Sequence, residues 1–175
     1  TLELLEVLCA SVKQANEDPD IQGIIITGGP GHFSAGADVR MFQEISTADD
    51  AKNASRIFQD AFQEIENSPK PVLAAVSGRV IGGALELAMA CHFRVCDKET
   101  RFSTPEVNLG INPGAGGSQR LPRLTGVEEA LSMLLTAKQI KADEALAMGL
   151  VDAVSDPDQL MDLALETLKS GSEPV

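Results

Sequence analysis

The sequence predicts an α/β domain in which helices pack on a sheet, and two segments carry this prediction. The segment IQGIIITGG, 21–29, is a β-branched run closed by glycines, which is typical of a buried strand of the parallel type. The segment PVLAAVSGRVIGGALELAMACHFRVCD, 71–97, contains a strand, a glycine break, an apolar helix and a second strand. Because the breaks are only a few residues long, helices and strands must alternate closely along the chain.

Two helices are predicted in the first half of the chain. Thr1 to about Asn16 shows the 3.6-residue spacing of an amphipathic helix. The apolar residues at this spacing are Leu4, Leu5, Leu8, Val12 and Ala15. Thr47, with Asp50 three residues later, forms a predicted capping box that opens a helix running to about Asn67. The apolar residues on one face of that helix are Ile57, Ala61, Phe62 and Ile65.

Two more helices and a strand are predicted beyond residue 120. Thr125 with Glu128 predicts a second capping box, which opens a helix ending near Thr136. A further helix begins near Ala142 and stops at Gly149, a residue type that commonly ends helices. The segment VDAVS, 151–155, is predicted to be a short strand.

The end of the chain predicts a last helix and a frayed tail. Asp156 and Pro157 suit the N-cap and first position of a helix that ends near Gly171. The segment SGSEPV, 170–175, is expected to fray. With 175 residues, 43% of them hydrophobic, and with no internal repeat or linker, the chain is predicted to form one domain over residues 1–175.

The composition excludes several classes of function. A net charge of -12 opposes non-specific nucleic-acid binding, and an aromatic content of 3% offers no platform for stacked bases. This charge does not exclude a small anionic ligand held by local donors. No apolar run reaches the length of about 18 residues that a membrane span needs, and acids replace the basic start of a signal peptide. We therefore expect a cytoplasmic protein, or one of the mitochondrial or peroxisomal matrix.

Cysteines, histidines and glycine-rich segments give weaker signals. The three cysteines lack a disulfide spacing and are expected to be reduced and mostly buried, and the two histidines belong to no zinc-ligand pattern. The segments GGPGHFSAGAD and NPGAGGSQR have neither the ending of a phosphate-binding loop nor a complete GxGxxG. A Ser-His-Asp triad through Ser34 stays open because triads are spatial, although the first glycine of a nucleophile elbow is missing.

One glutamate, Glu86, stands in the otherwise apolar segment GGALELAMACHF, 82–93. An ionised carboxylate buried there costs several kcal/mol unless something compensates it. Gly82 and Gly83 lie between a predicted strand and a predicted helix, where free N–H groups and the helix dipole favour negative charge. The N–H of Gly83 is therefore a candidate for half of an oxyanion hole. The alternative, that the glycines only permit close packing and Glu86 only meets the helix dipole, stays open on these residues.

Two further segments are candidates for the same site. The loop from Gly28 to Asp38 follows the strand IIIT and either brings another backbone N–H toward the glycine pair or is an ordinary connection. In FSTPEVNLGINPGAGG, 102–117, Glu106 follows Pro105 directly and is either a second acid of the site or a solvated loop residue.

Three segments together, GHFSAGADVRMF, PVLAAVSGRVIGGALELAMACHFRV and FSTPEVNLGINPGAGGSQRLPRLTG, resemble the crotonase superfamily of enoyl-CoA hydratases and isomerases. The closing ADEALAMGLVDAV is similar too, and CHFRV with LPRLTG is most similar to the hydratase portions of multifunctional β-oxidation enzymes. The resemblance implies a crotonase-like (ClpP/crotonase) ββα spiral, with strand-strand-helix turns stacked into two near-perpendicular sheets. It also implies a core truncated at both ends, without the family's N-terminal strands and its C-terminal helices, which cover the acyl pocket and build trimers.

The resemblance implies roles for four residues. Ala37 and Gly83 match the two oxyanion-hole positions, whose N–H groups hold the thioester carbonyl oxygen. Glu86 and Glu106 match the two catalytic glutamates of the hydratases, which add water to a trans-2-enoyl-CoA and give a 3-hydroxyacyl-CoA. Glu86 is expected to orient and deprotonate the water, and Glu106 to exchange the proton at C2. Two close carboxyls in an apolar site should titrate as a coupled pair, with at least one pKa raised.

The resemblance also implies a ligand, an assembly and alternatives. The loop Ala37, Asp38, Val39 and Arg40 is expected to contact coenzyme A, with Arg40 near the phosphates unless it is an ordinary surface residue. Coenzyme A is part of the substrate, so no separate cofactor and no metal are expected. The complete protein is expected to form a homotrimer or a dimer of trimers, or to be fused to a dehydrogenase. The alternatives are a Δ3-Δ2-enoyl-CoA isomerase, in which the equivalent of Glu106 suffices, a non-catalytic CoA-binding protein, and a peptidase on the related spiral.

Overall fold

The computed structural model describes residues 1–34, 36–37 and 46–171 and confirms the α/β class. The helices are α1 (Leu2–Glu17), α2 (Ala48–Glu66), α3 (Gly83–Ala90), α4 (Gly117–Thr125), α5 (Val127–Thr136), α6 (Ala142–Ala147) and α7 (Leu160–Ser170). The strands are β1 (Ile24–Thr27), β2 (Val72–Val76), β3 (Arg79–Ile81), β4 (Phe93–Asp97), β5 (Arg101–Ser103), β6 (Ile140–Lys141) and β7 (Ala153–Ser155). Short 3-10 helices cover Pro105–Leu109 and Pro157–Gln159.

The described strands form two sheets. The first has the order β1-β2-β4-β7, and all of its neighbours are parallel. The second has the order β3-β5-β6, in which β3 and β5 are parallel and β6 is antiparallel to β5. The consecutive strands β2 and β3 belong to different sheets, as do β4 and β5, and each pair leads into helical structure. This is the strand-strand-helix repeat of the expected ββα spiral, which is thereby confirmed.

The core lies on both faces of the first sheet. Every residue of β2 and β4 is buried, which explains why the sequence of β2 is an apolar run instead of an alternating pattern. Successive side chains of a strand point to opposite faces. Val72 and Val76 of β2 therefore join the main cluster, whereas Leu73 and Ala75 pack in a second cluster beneath α7. The main cluster also contains the apolar side chains of α3, so the site helix is anchored in the centre of the molecule.

The prediction of a buried first strand is only partly correct. The strand β1 exists and is parallel to β2, with Ile24 opposite Val72. It lies at the edge of its sheet among the described residues, and only Ile26 of its four residues is buried. β-branched residues suit edge and central strands alike, so the composition of IIIT does not distinguish the two positions.

The predicted capping box of Thr125 and Glu128 is wrong. Thr125 is the last residue of α4, and its hydroxyl donates to the carbonyl of Leu121 at 3.0 Å. Gly126 is the N-cap of α5 and makes no side-chain hydrogen bond there. Helix α4 precedes the predicted start of α5 and was not itself predicted. The two glycines at its beginning and Pro122 inside it show no helical pattern in the sequence. The earlier capping box is confirmed, because Thr47 and Asp50 exchange hydrogen bonds of 3.1 and 2.9 Å.

The last helix begins later than predicted. Pro157–Gln159 forms a 3-10 turn, and α7 starts only at Leu160. Asp156 makes no side-chain N-cap bond, because its carboxylate pairs with the ammonium group of Lys98, just beyond β4. The predicted end is confirmed, since Gly171 closes α7 in the left-handed conformation with φ 59°.

The thiols agree with the sequence expectation. Cys91 and Cys96 are buried, Cys9 is half-buried, and all three are free. Among the helices of the described ranges, none combines the length and the apolar character needed to cross a membrane.

Candidate active site

Glu86 is buried in the first turn of α3, with only 3% of its surface exposed. Gly82 turns the chain from β3 into this helix with φ 56°, a conformation that favours glycine, and its N–H donates to the Ser103 carbonyl at 3.1 Å. The neighbours of Glu86 on the helix are apolar and most of them are buried, so the helix lies within the core. The prediction that this helix is buried together with its glutamate is confirmed.

Two backbone donors compensate the buried Glu86 carboxylate. The N–H groups of Ala115 and Gly117 both donate to its Oε1, each at 2.8 Å. Gly117 is the first residue of α4, so the carboxylate lies at the positive end of that helix. The intervening Gly116 adopts φ 109°, which lets the two N–H groups converge on one oxygen. No donor among the described residues bonds to Oε2, so this oxygen is free to accept a proton.

The surroundings shift the pKa of Glu86 in opposing directions. Burial raises the pKa above its ordinary value and outweighs the N–H donors of Gly117 and Ala115, which lower it. The Glu106 carboxyl raises the pKa of Glu86 further, and the Arg120 guanidinium lowers it. The result is a carboxyl with a raised pKa whose ionised form is nonetheless supported by fixed donors. A group of this kind suits proton transfer near neutral pH.

Glu106 lies in the 3-10 helix Pro105–Leu109, half-buried, and not in a solvated loop. Its Oε2 is buried and has no hydrogen-bond partner among the described residues. Burial raises the pKa of Glu106, because the charged form loses water, and this effect outweighs a hydrogen bond from its own backbone N–H, which lowers the pKa. Its Oε1 lies against the entry of α3, since a Cβ added to Gly82 would meet that oxygen at 2.9 Å.

Ala37 and Gly83 lie side by side at the start of α3. A Cβ added to Gly83 would lie 3.4 Å from the backbone nitrogen of Ala37. Gly36, with φ 91°, packs on the same junction, where a Cβ would meet the Ile81 carbonyl oxygen at 2.5 Å. The sequence stretch before α2 and the glycine pair of α3 therefore come together, which is one of the two possibilities that the sequence left open for the loop from Gly28.

The predicted coenzyme A contacts Asp38, Val39 and Arg40 lie outside the described residues. Next to Ala37 and Gly83 is a cavity of about 80 Å³, lined mainly by apolar side chains of α1, α2 and α3. Phe58 of α2 is among them. Such a lining suits a hydrophobic chain extending from a group held at the two N–H positions.

The contacts of the described residues give no support to a Ser-His-Asp triad through Ser34 or to a metal site. Ser34 accepts a hydrogen bond from the Gly36 N–H, and neither histidine bonds to it. His92 instead accepts from the Val72 N–H and contacts the Glu66 carbonyl, which is a structural role. No group of three or more His, Cys, Asp or Glu side chains within residues 1–34, 36–37 and 46–171 is arranged to hold a metal ion.

Some functional residues carry no side-chain signal in the sequence. The donors of Ala115 and Gly117 are backbone groups, and Gly82 acts through its missing side chain. The one available signal was the glycine-rich NPGAGG after Glu106, since such segments place backbone N–H groups close to an anion.

These features define a class of protein. The sequence profile of the enoyl-CoA hydratase/isomerase family matches residues 1–172, and the chain belongs to this family.

The individual relatives are longer than this chain. It is 44% identical over 170 residues to a fatty acid oxidation complex subunit alpha from Shewanella loihica, covering 95% of this chain and 24% of that protein. The crystal structure of an enoyl-CoA hydratase from Bacillus anthracis matches with TM-score 0.89 and 36% identity, over 97% of this chain and 66% of the other. An enoyl-CoA hydratase from Thermoplasma volcanium matches with TM-score 0.89 and 35% identity, over 97% and 68%. The chain thus spans about a quarter of the curated relative and about two thirds of these solved structures.

Proposed function

We propose that this chain carries the site of an enoyl-CoA hydratase, which adds water to a trans-2-enoyl-CoA to give a 3-hydroxyacyl-CoA. The observation that carries the proposal is the pair of carboxyls, of the buried Glu86 and the half-buried Glu106, at the helix entry where Gly83 and Ala37 meet. Both carboxyls have raised pKa values from burial, and Glu86 also from Glu106. Addition of water needs one group that accepts a proton and one that donates it, and this site contains two groups suited to that exchange.

The N–H groups of Ala37 and Gly83 are proposed to hold the thioester carbonyl oxygen. As water attacks C3, negative charge moves through the conjugated system onto that oxygen. Two fixed donors in a site shielded from water would stabilise this charge by about 3 kcal/mol each. The proximity of the two residues supports this role, as does the apolar cavity beside them, which can take the first carbons of an acyl chain.

The two glutamates are proposed to divide the proton transfers. Glu86 keeps one oxygen on two N–H donors, which favours its ionised form, and Oε2 accepts the proton of water as the O–C3 bond forms. The buried Oε2 of Glu106 has no donor among the described residues, which favours the protonated form, and Glu106 delivers this proton to C2. After one addition Glu86 carries the proton and Glu106 is ionised, so a single transfer from Glu86 to Glu106 restores the starting state.

An isotope experiment on the complete protein tests this function. Loss of the conjugated-thioester absorbance is followed together with incorporation of solvent oxygen-18, for the wild type, Glu86→Gln and Glu106→Gln. Each variant should lose roughly 10²- to 10⁴-fold in rate, the usual contribution of general acid–base catalysis. Glu166→Gln, an exposed glutamate of α7, is the matched control and should keep the wild-type rate.

The competing functions give different results in the same experiment. An isomerase would convert a 3-enoyl-CoA without incorporating label, and it would retain this activity in Glu86→Gln. A non-catalytic CoA-binding protein would bind the thioester and leave its absorbance unchanged. Hydration at the wild-type rate in Glu86→Gln would refute the role given to Glu86 alone.

The pathway, the compartment and the assembly of the complete protein are proposals as well. A curated relative is the alpha subunit of a fatty acid oxidation complex, which supports a function in fatty-acid β-oxidation for this chain. The complete protein is proposed to act in the cytoplasm or an organelle matrix, either as a trimeric assembly or fused to a dehydrogenase. Arg40 is proposed to contact the coenzyme A phosphates. Weaker binding of the thioester by Arg40→Gln, measured by calorimetry, would support this contact.

A further inference from the structure

Arg120 is a buried cation next to the loop whose N–H groups bind Glu86. It lies in the first half of α4, and only 8% of its surface is exposed. One guanidinium nitrogen, Nη1, donates to the carbonyl of Ala115 at 3.1 Å. The other, Nη2, donates to Oε2 of Glu66 at 2.7 Å, where Glu66 is the last residue of α2. The guanidinium therefore connects the end of α2 to the loop that leads into α4.

The same loop also binds the carboxylate of Glu86 through backbone N–H groups. Ala115 accepts from Arg120 through its carbonyl and donates to Glu86 through its N–H. Between the two donors lies Gly116, and a Cβ added there would lie 2.2 Å from Nη1 of Arg120. The guanidinium is thus packed directly against the turn that presents the Ala115 and Gly117 N–H groups. The loop 115–117 therefore lies between the Glu86 carboxylate and the Arg120 guanidinium.

We propose that Arg120, held in place by Glu66, is a positioning residue that keeps the Ala115 and Gly117 donors on Glu86 and supports the ionised form of its carboxylate. Arg120 acts through the loop and does not touch the reacting atoms. Its role in catalysis rests on the proposed function, whereas its effect on the ionisation of Glu86 can be measured in the unliganded protein.

The charges around Glu86 determine the direction in which its pKa should change when Arg120 or Glu66 is replaced. Helix α3 packs against α2, α4, β2 and β3, and the charged side chains that bear on Glu86 are Arg120 of α4 and Glu106 of the 3-10 helix. Glu66 of α2 partly neutralises Arg120 from the far side. Removing the Arg120 charge should therefore raise the pKa of Glu86. Removing the Glu66 charge should lower it, because Arg120 is then no longer neutralised.

The ionisation is tested directly by following the side-chain carboxyl carbon of Glu86 in NMR titrations of the complete protein. The variants are Arg120→Met, Arg120→Lys and Glu66→Gln, and circular dichroism checks that each is folded. The titration of Glu86 should move to higher pH in Arg120→Met and to lower pH in Glu66→Gln. Arg120→Lys retains the charge and should remain nearer to the wild type. Arg123→Met, an exposed arginine of the same helix, is the matched control and should leave the titration unchanged.

Kinetics separate positioning from general structural damage. In Arg120→Met, kcat at neutral pH should fall roughly 10- to 100-fold because the donors shift, whereas KM should stay within about twofold. The rise of kcat with pH should move in the same direction as the NMR titration, and Arg120→Lys should recover part of the loss. An unchanged titration in both Arg120→Met and Glu66→Gln would overturn the proposal. If the wild type hydrates no thioester while the titrations move as expected, the proposed function fails and the positioning proposal stands.

Discussion

Gly117 donates its backbone N–H to Oε1 of Glu86 across 2.8 Å, although the two residues are 31 positions apart in the chain. This bond joins the first residue of α4 to the only acid of α3. An ionised carboxylate in the core costs several kcal/mol, and charge-assisted bonds at a helix N-terminus offset part of that cost. The acid in GGALELAMACHF is therefore tolerated because a second helix begins beside it.

Substituting Gly117 by alanine should impair the site without unfolding the chain. The new Cβ would lie 2.9 Å from Oε1 and 3.0 Å from Cγ of Glu86. The backbone of Gly117 is helical, so its dihedral angles do not strain alanine, but the contacts with Glu86 and with Cβ of Pro113, at 3.0 Å, should lower the free energy of unfolding by about 1–3 kcal/mol. The hydration rate should fall by roughly 100-fold as the carboxylate is displaced.

Gly114→Ala is the control for this substitution. Its Cβ would meet the Ser55 hydroxyl at 2.9 Å, the end of a side chain that can turn away. It should keep most of the wild-type rate. Equal rates for the two variants in the absorbance assay would show that the contact of Gly117 with Glu86 has no catalytic importance.

Substituting Gly82 by alanine should add strain and displace Glu106. The positive φ of Gly82 disfavours alanine and should cost about 1–3 kcal/mol in the free energy of unfolding. Gly126 also has a positive φ, of 81°, but no atom lies within 4 Å of a Cβ added there. Both variants should lose stability in urea unfolding, whereas only Gly82→Ala should lose hydration activity. Loss of activity in both would indicate that strain alone is responsible.

Glu86→Gln should stabilise the protein at neutral and higher pH. Burial, the largest effect, raises the pKa of Glu86 in the folded state above its value in the unfolded chain. The folded state then holds more protons between these two values, so wild-type stability falls as the pH rises through that interval. Glutamine carries no charge, and its amide oxygen can still accept from the two N–H donors.

The measurement is urea unfolding of both proteins at several pH values. The advantage of Glu86→Gln should be largest above the folded-state pKa and should vanish below the ordinary pKa of glutamate. A stability advantage that shrinks as the pH rises would mean that the fold favours the ionised carboxylate, contrary to the expected sign.

The thiols should be unreactive in the folded protein. Burial raises the pKa of Cys91 and of Cys96 to about 12, and it raises the pKa of Cys9 as well. A thiolate is the reactive form, so a disulfide reagent at pH 8 should modify Cys9 slowly and the other two only after unfolding. Counting the released chromophore with and without denaturant checks this. Rapid modification of three thiols in the folded state would contradict the buried placement.

The sequence predicted the burial of one candidate site residue but left that of the other open. Glu86 was expected to be buried because its helix has no polar face, and the structure confirms this. For Glu106 the residues alone left a solvated loop position open, and only the folded chain buries its Oε2. Helix α4 escaped prediction because glycines and a proline dominate its pattern, and this is the helix that supplies a donor to Glu86.

The sequence by itself determined the local features of this protein. The cap of Thr47 on α2, the turn at Gly82 and the apolar run of β2 depend on residues close together in the chain, which is why they were predictable. Only the tertiary structure decided which groups compensate the charge of Glu86. The donors are backbone N–H groups, which every residue except proline carries, so no side chain marks them. Their function comes from the convergence of a left-handed glycine turn, a helix start and a buried arginine on one carboxylate.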